Sequence, residues 1–452
     1  MTVFIKNIFS QRKLKEIHGY LSFQYKKTTN LIKKTEYLSK EELQLLQFNK
    51  VKNRLIHAYK NVPYYSDSFR KINFDPNEMH SLDELQRIPF LSKEEYRSNI
   101  DKFISKNMPK RLLLKRYTGG TTGEPTPLYR NISDYGREKA FTDYAYSMLG
   151  VKPNCRAAFL RDAVNDNNRH YIVNKFDRTL YLSGHHLTED DLDVYINKIR
   201  EYHPQLYWVL SSSALILADY MKRTNEKAFE GIKVVLCTSE TLYDFQKKRM
   251  EEAFGAKIAS HYGHSEHAVI ALCCKHSNLF HVIPQYGYTE LIDQNGNVVT
   301  HEGEIGDIVG TSFTNKSCPL IRYRTGDRAR LTFTKCPCGR NYVMWDLIEG
   351  RKPAMAMAKN GSAVSIGPQL LCTIHDDTYG KIKQFRFEQY EKGKLDIIVT
   401  LLNNSFLTTT NRYFTDLFEK HYPGLFEINV KLSSDQKDKS KHLYFKQHLN
   451  VD

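Results

Sequence analysis

The chain has 452 residues, 41% of them hydrophobic and 26% charged, with a formal net charge of +15. That is long enough for two domains and apolar enough for real cores. The charge leaves open an anionic substrate, an acidic membrane surface, or lysines that only solvate the protein. No polybasic block and no interleaved basic and aromatic motif occurs, so a nucleic-acid partner is not expected.

No run of about 18 apolar residues is present, so no spanning helix is expected. The first residues, MTVFIKNIFSQRKLK, lack a continuous apolar core and a small-residue cleavage site. They are expected to form an ordinary first helix rather than a signal peptide. Eight cysteines in a chain this long are not a disulfide framework, and free thiols fit the cytoplasm.

Residues 1–110 read as mainly helical. Ser39 and Glu42 form a capping-box pattern, and Leu45, Phe48, Val51, Leu55 and Ala58 recur at helical spacing as a core stripe. From residue 130 the pattern alternates. Ser133–Leu149 is helical with Gly150 as its stop, and Ala157–Leu160 is a short apolar run. Thr188–Tyr202 is again helical. Leu206–Leu210 and Ile232–Cys237 read as buried strands, followed by helices over Ser211–Met221 and Thr241–Phe254, the latter ended by Gly255. Strands alternating with helices imply βαβ units and a parallel sheet. After Pro284 the texture becomes β-rich, with a hairpin expected at Asn295-Gly296. The last hundred residues read as a small α+β unit: strands over Gln384–Gln389, Leu395–Leu402 and Phe426–Leu432, and a helix near Asn411–His421.

Four segments carry the chemical signal. The stretch Thr118-Gly119-Gly120-Thr121-Thr122-Gly123 alternates glycines with hydroxyls. Its backbone can approach a bulky anion and converge N–H groups on phosphate oxygens, although taken alone it also fits an ordinary turn. HYGHSE follows at His261–Glu266, RYRTGD at Arg322–Asp327, and GR at Gly350–Arg351.

In this order the motifs resemble the adenylate-forming superfamily: acyl-CoA synthetases, peptide-synthetase adenylation domains and luciferases. The finer detail is similar to the phenylacetate-CoA ligase branch, and within it to CapK-type proteins of capsular polysaccharide loci. NVPYYSDSF, KVVLCTSETL, CPCGRNYVMWDLIEGR and the tail SKHLYF support this, and the likeness runs from about Ser39 onward. It implies a large α/β, multi-sheet N-terminal adenylation domain, residues 1–352, and a small mobile α+β lid, residues 353–452, with a hinge just after Arg351. It also implies ATP-dependent activation of a small carboxylic acid as an acyl-adenylate. Transfer would follow to CoA or another acceptor, such as an amino sugar or a carrier, in surface polysaccharide synthesis. The alternative is a weakly active or non-catalytic relative that acts as an assembly or regulatory partner.

The resemblance also assigns roles. Thr118–Gly123 would clasp the β- and γ-phosphates of ATP. Tyr262 would stack on adenine, and His261, Gly263, His264 and Ser265 would line the same nucleotide site. Ser239 and Glu240 match the adenine-side turn after a buried strand, and strand ends are where open α/β sheets bind ligands. Asp327 and Arg351 would hold the ribose hydroxyls. Glu266 would bind magnesium, for which a carboxylate oxygen is the right donor. Lys441 would bridge the attacking carboxylate and the α-phosphate. Three positions depart from the family pattern: Glu124 where lysine is frequent, Pro353 in place of acidic residues after the hinge, and Ser440 in place of glycine before the catalytic lysine. Pro353 restricts rotation, which bears on the use of CoA.

Cys336 and Cys338 flank one proline, and Cys274 and His281 lie upstream, seven residues apart. Three thiolates and an imidazole make a closed, structural zinc set, and ligases of this branch carry a similar pattern. Cys273 and His276 are the second-ranked ligands. His264 and His267, three apart, are expected to line the nucleotide site or to pack.

Overall fold

The computed structural model describes residues 22–117, 126–161, 170–184, 187–349, 355–361, 363–365, 382–433 and 445–449. The expected first helix therefore lies outside the described residues. The chain divides into two compact units, Met1–Cys155 with Ala259–Glu349, and Arg156–Ile258 with Gly350–Asp452.

The first unit opens with helices α1 (Phe23–Thr35), α2 (Lys40–Asn61), α3 (Pro63–Lys71) and α4 (Lys93–Ser98). The Ser39 hydroxyl accepts from the Glu42 N–H at 3.1 Å, and the Ser39 N–H donates to the Glu42 carboxylate at 2.8 Å, so two orphan donors at the α2 start are satisfied. Val51, Leu55 and Ala58 are fully buried, but Leu45 is 61% exposed. The expected stripe is wrong at that position. Six residues at 100° each put Leu45 well off the face of Val51, and Leu43 is buried instead. Strands β1 (Leu114–Tyr117) and β2 (Pro127–Arg130) pair antiparallel. Helix α5 (Asp134–Met148) follows and stops before Gly150, at φ +81°.

The second unit begins with β3 (Ala157–Arg161), β4 (Tyr171–Asn174), β5 (Thr179–Ser183), α6 (Glu189–Tyr202), β6 (Leu206–Leu210), α7 (Ser211–Arg223), β7 (Val234–Thr238) and α8 (Asp244–Phe254). Its strands lie in the order β7-β6-β3-β5-β4, parallel except for the edge strand β4. Leu160, Leu182, Tyr207, Val209 and Val235 pack with Ile196, Leu217 and Phe254 of the helices, as the βαβ pattern requires.

In the first unit the chain then forms an antiparallel series. It comprises β8 (Lys257–Gly263), β9 (Ile270–Cys274), β10 (Ser277–Val282), β11 (Gly287–Ile292), β12 (Ile305–Ser312), β13 (Tyr323–Thr332) and β14 (Met344–Glu349). The lateral order is β11-β12-β13-β14-β10-β9-β8. Gly296 turns the chain at φ +88°, Val298 bridges Ile292 antiparallel, and the Asp293 and Val299 N–H groups donate to the Asn297 and Leu291 carbonyls at 2.9 and 2.8 Å. The hairpin expected at Asn295-Gly296 therefore forms, but its second arm is too short to be a strand, and the full-length partner of β11 is β12.

The chain ends in the second unit with β15 (Met355–Met357), β16 (Ala363–Ser365), β17 (Ile382–Glu391), β18 (Lys394–Leu401), α9 (Leu407–His421), β19 (Glu427–Leu432) and β20 (Phe445–Gln447). The sheet order is β19-β18-β17-β20. Phe387, Ile397 and Val399 meet Phe414 and Phe418 of α9, giving the small α+β fold. Among the described residues no helix is long and apolar enough to cross a membrane.

Candidate active site

The His261–Glu266 segment leaves the end of β8, where His261, Tyr262 and Gly263 pair with Leu272, Ala271 and Ile270 of β9. The Tyr262 hydroxyl donates to Asp327 Oδ2 at 2.8 Å. Asp327 sits in a bulge of β13, where the register against β12 shifts and Gly326 takes φ +83°, and its N–H donates to the Thr325 hydroxyl at 3.1 Å. The half-buried Tyr262 ring meets Trp345 edge-on at 6.2 Å. Two motifs far apart in sequence are thus joined in one unit.

His264 Nε2 accepts from the Val269 N–H at 3.2 Å, so its proton is on Nδ1, 3.1 Å from Glu266 Oε2. Tyr323 donates to Glu266 Oε1 at 3.0 Å. Burial alone would raise the Glu266 carboxyl, but the hydrogen bonds from His264, its own backbone and Tyr323 bring it down to about 2. Each carboxylate oxygen keeps a further lone pair, so the group fits a hard cation.

Beside Ser265 lies a cleft of about 420 Å³, lined in part by Arg116, Arg130, Asp134, Glu138 and His267. Arg130 donates to the Ser265 carbonyl and, at 3.0 Å, to His267 Nε2. His267 Nδ1 donates to Glu138 Oε1 at 2.8 Å, and Tyr286 donates to the same carboxylate. His267 is left-handed at φ +57°, and its carbonyl accepts from the Ser312 hydroxyl at 2.9 Å. The turn that carries Glu266 is thus tied down at the next residue. His264 and His267 hold different partners and are not a metal pair.

Ser239 and Glu240 follow β7 in the second unit. Ser239 is exposed and left-handed at φ +68°, which marks a sharp turn at a strand end. Thr118, Gly119, Gly120, Thr121, Thr122, Gly123, Arg351 and Lys441 lie outside the described residues, as do Glu124, Pro353 and Ser440.

Cys274, His281, Cys336 and Cys338 do converge, with their ligand atoms all within 4.8 Å of one another. Cys274 Sγ is 3.4 Å from Cys336 Sγ, and His281 Nε2 is 3.2 Å from Cys338 Sγ. His281 donates Nδ1–H to the Leu272 carbonyl at 2.9 Å, which leaves Nε2 as a lone-pair donor. Burial pushes the Cys336 thiol up to about 12, whereas Cys338 falls below the usual range because hydrogen bonds from Arg340 outweigh burial. The set fits one tetrahedral cation that would draw off the thiol protons. Cys273 turns away and donates to the Asn278 carbonyl at 3.1 Å.

The sequence reading missed Arg130, Glu138 and Tyr323 as members of the site. Tyr323 stands inside the RYRTGD motif, so that motif was its available signal. Arg130 and Glu138 reach partners more than a hundred residues away, and no local pattern marks them.

No protein-family profile matches the chain. It is similar to a phenylacetate-coenzyme A ligase of Thermus thermophilus, 25% identical over 334 residues that span 72% of this chain and 74% of that relative. It is 26% identical to the Staphylococcus aureus protein CapK over 296 residues, 64% of this chain and 63% of CapK. Among solved structures, 2-hydroxyisobutyryl-CoA ligase in complex with its acyl-AMP covers 91% of each chain with a TM-score of 0.70 at 18% identity. The resemblance to phenylacetate-CoA ligases and CapK stands, and the fold is that of adenylate-forming enzymes.

Proposed function

We propose that a chain with this fold and these relatives is an AMP-forming ligase that activates a carboxylic acid as its acyl-adenylate. The observation that carries this reading is the constellation in the first unit: Tyr262 joined to Asp327, and Glu266 held ionised between His264 and Tyr323. A carboxylate oxygen of the acid attacks the α-phosphorus of ATP. The new acyl–phosphate bond forms as the bond to the β-phosphate breaks, and pyrophosphate leaves with its electron pair. An acceptor nucleophile then attacks the carbonyl carbon, AMP leaves, and the acceptor's proton passes to solvent. Joining two anions demands preorganised positive charge and donors.

In this reading Tyr262 and Asp327 hold the nucleoside, Ser239 and Glu240 line its adenine side, and the loop Thr118–Gly123 holds the phosphates. Arg351 assists at the ribose, and Lys441 neutralises charge at the reacting oxygens. Glu266 would hold magnesium, which supplies charge neutralisation on the phosphates when bound. Cys274, His281, Cys336 and Cys338 would hold a structural zinc. Residues 1–352 act as the adenylation domain and residues 353–452 as its lid.

CoA is the acceptor that the relatives' names support. A role in capsule synthesis, with an amino sugar or carrier as acceptor, has the similarity to CapK as its only support. The comparisons favour an enzyme over the non-catalytic alternative. The test is carboxylate-dependent ATP–pyrophosphate exchange across a panel of acids, followed by acyl-CoA release measured against pyrophosphate release with the best acid. No exchange with any acid would overturn the ligase reading. Exchange without acyl-CoA would exclude CoA and favour another acceptor.

A further inference from the structure

On α2, Lys50 and Arg54 are four residues apart and share a face, where like charges repel. Two more cations meet at the same turn: Arg137 from α5 and Lys316, which belongs to the turn after β12. Arg54 is only 5% exposed. It donates to the Asn315 carbonyl at 3.0 Å and the Phe313 carbonyl at 2.5 Å. Arg137 donates to the Thr314 carbonyl at 2.9 Å, and His57 Nε2 lies 2.9 Å from the Lys316 carbonyl. Four successive carbonyls are therefore clamped, and the turn is fixed with Lys316 projecting from it. Lys50 is half-buried, its ammonium 5.5 Å from the centre of the Phe313 ring. The nearby carboxylate, Asp134, is already paired with Arg137.

We propose that Lys50 and Lys316, backed by Arg54 and Arg137, form a binding site for a compact polyvalent phosphate anion such as pyrophosphate. Ammonium groups suit this ligand because each supplies a point charge and three donors. The guanidiniums are spent on the turn, so the lysines are the groups left to meet the anion. Burial, with repulsion from Arg54, Lys27, Arg137 and Lys316, brings Lys50 down to about 8, and Lys316 is lowered for related reasons. A bound dianion relieves that repulsion. The proposal stands whether or not the chain is a ligase.

The test is amine-reactive labelling of the full chain near pH 8, read by mass spectrometry at Lys50 and at the exposed Lys227, across a pyrophosphate titration at fixed ionic strength. Saturable protection of Lys50, with Lys227 unprotected, is expected. Lys316→Gln should raise the half-protecting concentration roughly tenfold, the worth of one charge-assisted hydrogen bond. Glu266→Gln should leave protection unchanged, which separates this site from the nucleotide site. Equal protection by chloride, protection that survives Lys316→Gln, or protection lost in Glu266→Gln would each overturn the proposal. If ATP protects where pyrophosphate does not, the ligand is a nucleotide and the compact-anion assignment fails.

Discussion

Tyr262 and Asp327, 65 residues apart in sequence, meet through one hydroxyl–carboxylate hydrogen bond of 2.8 Å. The bond fixes the ring at the end of β8 against the bulge in β13. Tyr262→Phe keeps the ring and removes the donor, and Asp327→Asn removes the charge. Each single change is expected to weaken ATP binding by about 1.5–3 kcal/mol, the range for a hydrogen bond to a charged group. Calorimetry on both singles and the double variant should show a coupling of similar size. Additive losses would mean that the two residues act independently on ATP.

Glu266→Gln keeps the shape of the side chain and removes its charge. Adenylation is expected to fall on the order of 100-fold, the typical cost of losing one electrostatic contact to a developing charge, with partial rescue by excess magnesium. Lys441→Ala should cost at least as much in exchange while ATP affinity stays within a few-fold, because its charge acts mainly in the transition state. Exchange rates in the variants, with nucleotide affinity measured in parallel, separate these two roles. An unchanged magnesium dependence in Glu266→Gln counts against its place at the metal.

Purified protein is expected to hold about one zinc per chain, the stoichiometry of a closed four-ligand site. Cys336→Ser should lose metal and thermal stability together, since binding energy at such a site is folding energy. Elemental analysis and a melting curve, with and without chelator, check both at once. Metal-free wild-type protein with the same melting behaviour would remove zinc from the fold.

Lys50 makes a prediction with a defined sign. Its folded-state value is about 8, against an ordinary 10.5. Between those values the unfolded chain keeps a proton that the folded chain has released, so stability rises with pH across that window. Below it, the charged folded lysine carries the full repulsion. Lys50→Gln should therefore melt about 1–2 °C higher than wild type near pH 7. The advantage should shrink as pH rises through 8 and vanish by about 10.5. A variant that is less stable at pH 7 would show that the ammonium is stabilising where it sits.

The sequence by itself determined the element types and the βαβ alternation, and its motifs singled out Tyr262, Glu266 and Asp327. Local signals sufficed for these: the box of Ser39 and Glu42, the stop at Gly255, and apolar runs such as Leu206–Leu210 that are long enough to bury. The Cys/His set was also legible, because thiolates and imidazole at short spacing have few other uses. Tertiary structure decided what no local window contains. It showed that Leu45 faces solvent, since a helix face is chosen by what packs on it. It gave β11 its full-length partner β12 beyond the short local hairpin at Asn295-Gly296, because strand partners are set by the whole sheet. It also gave Glu266 its ionised state, through His264 beside it and Tyr323 57 residues away, and tied His267 to Glu138 across 129 residues. Charge state and hydrogen-bond partnership depend on burial and distance in space, and a linear chain specifies those only once it has folded.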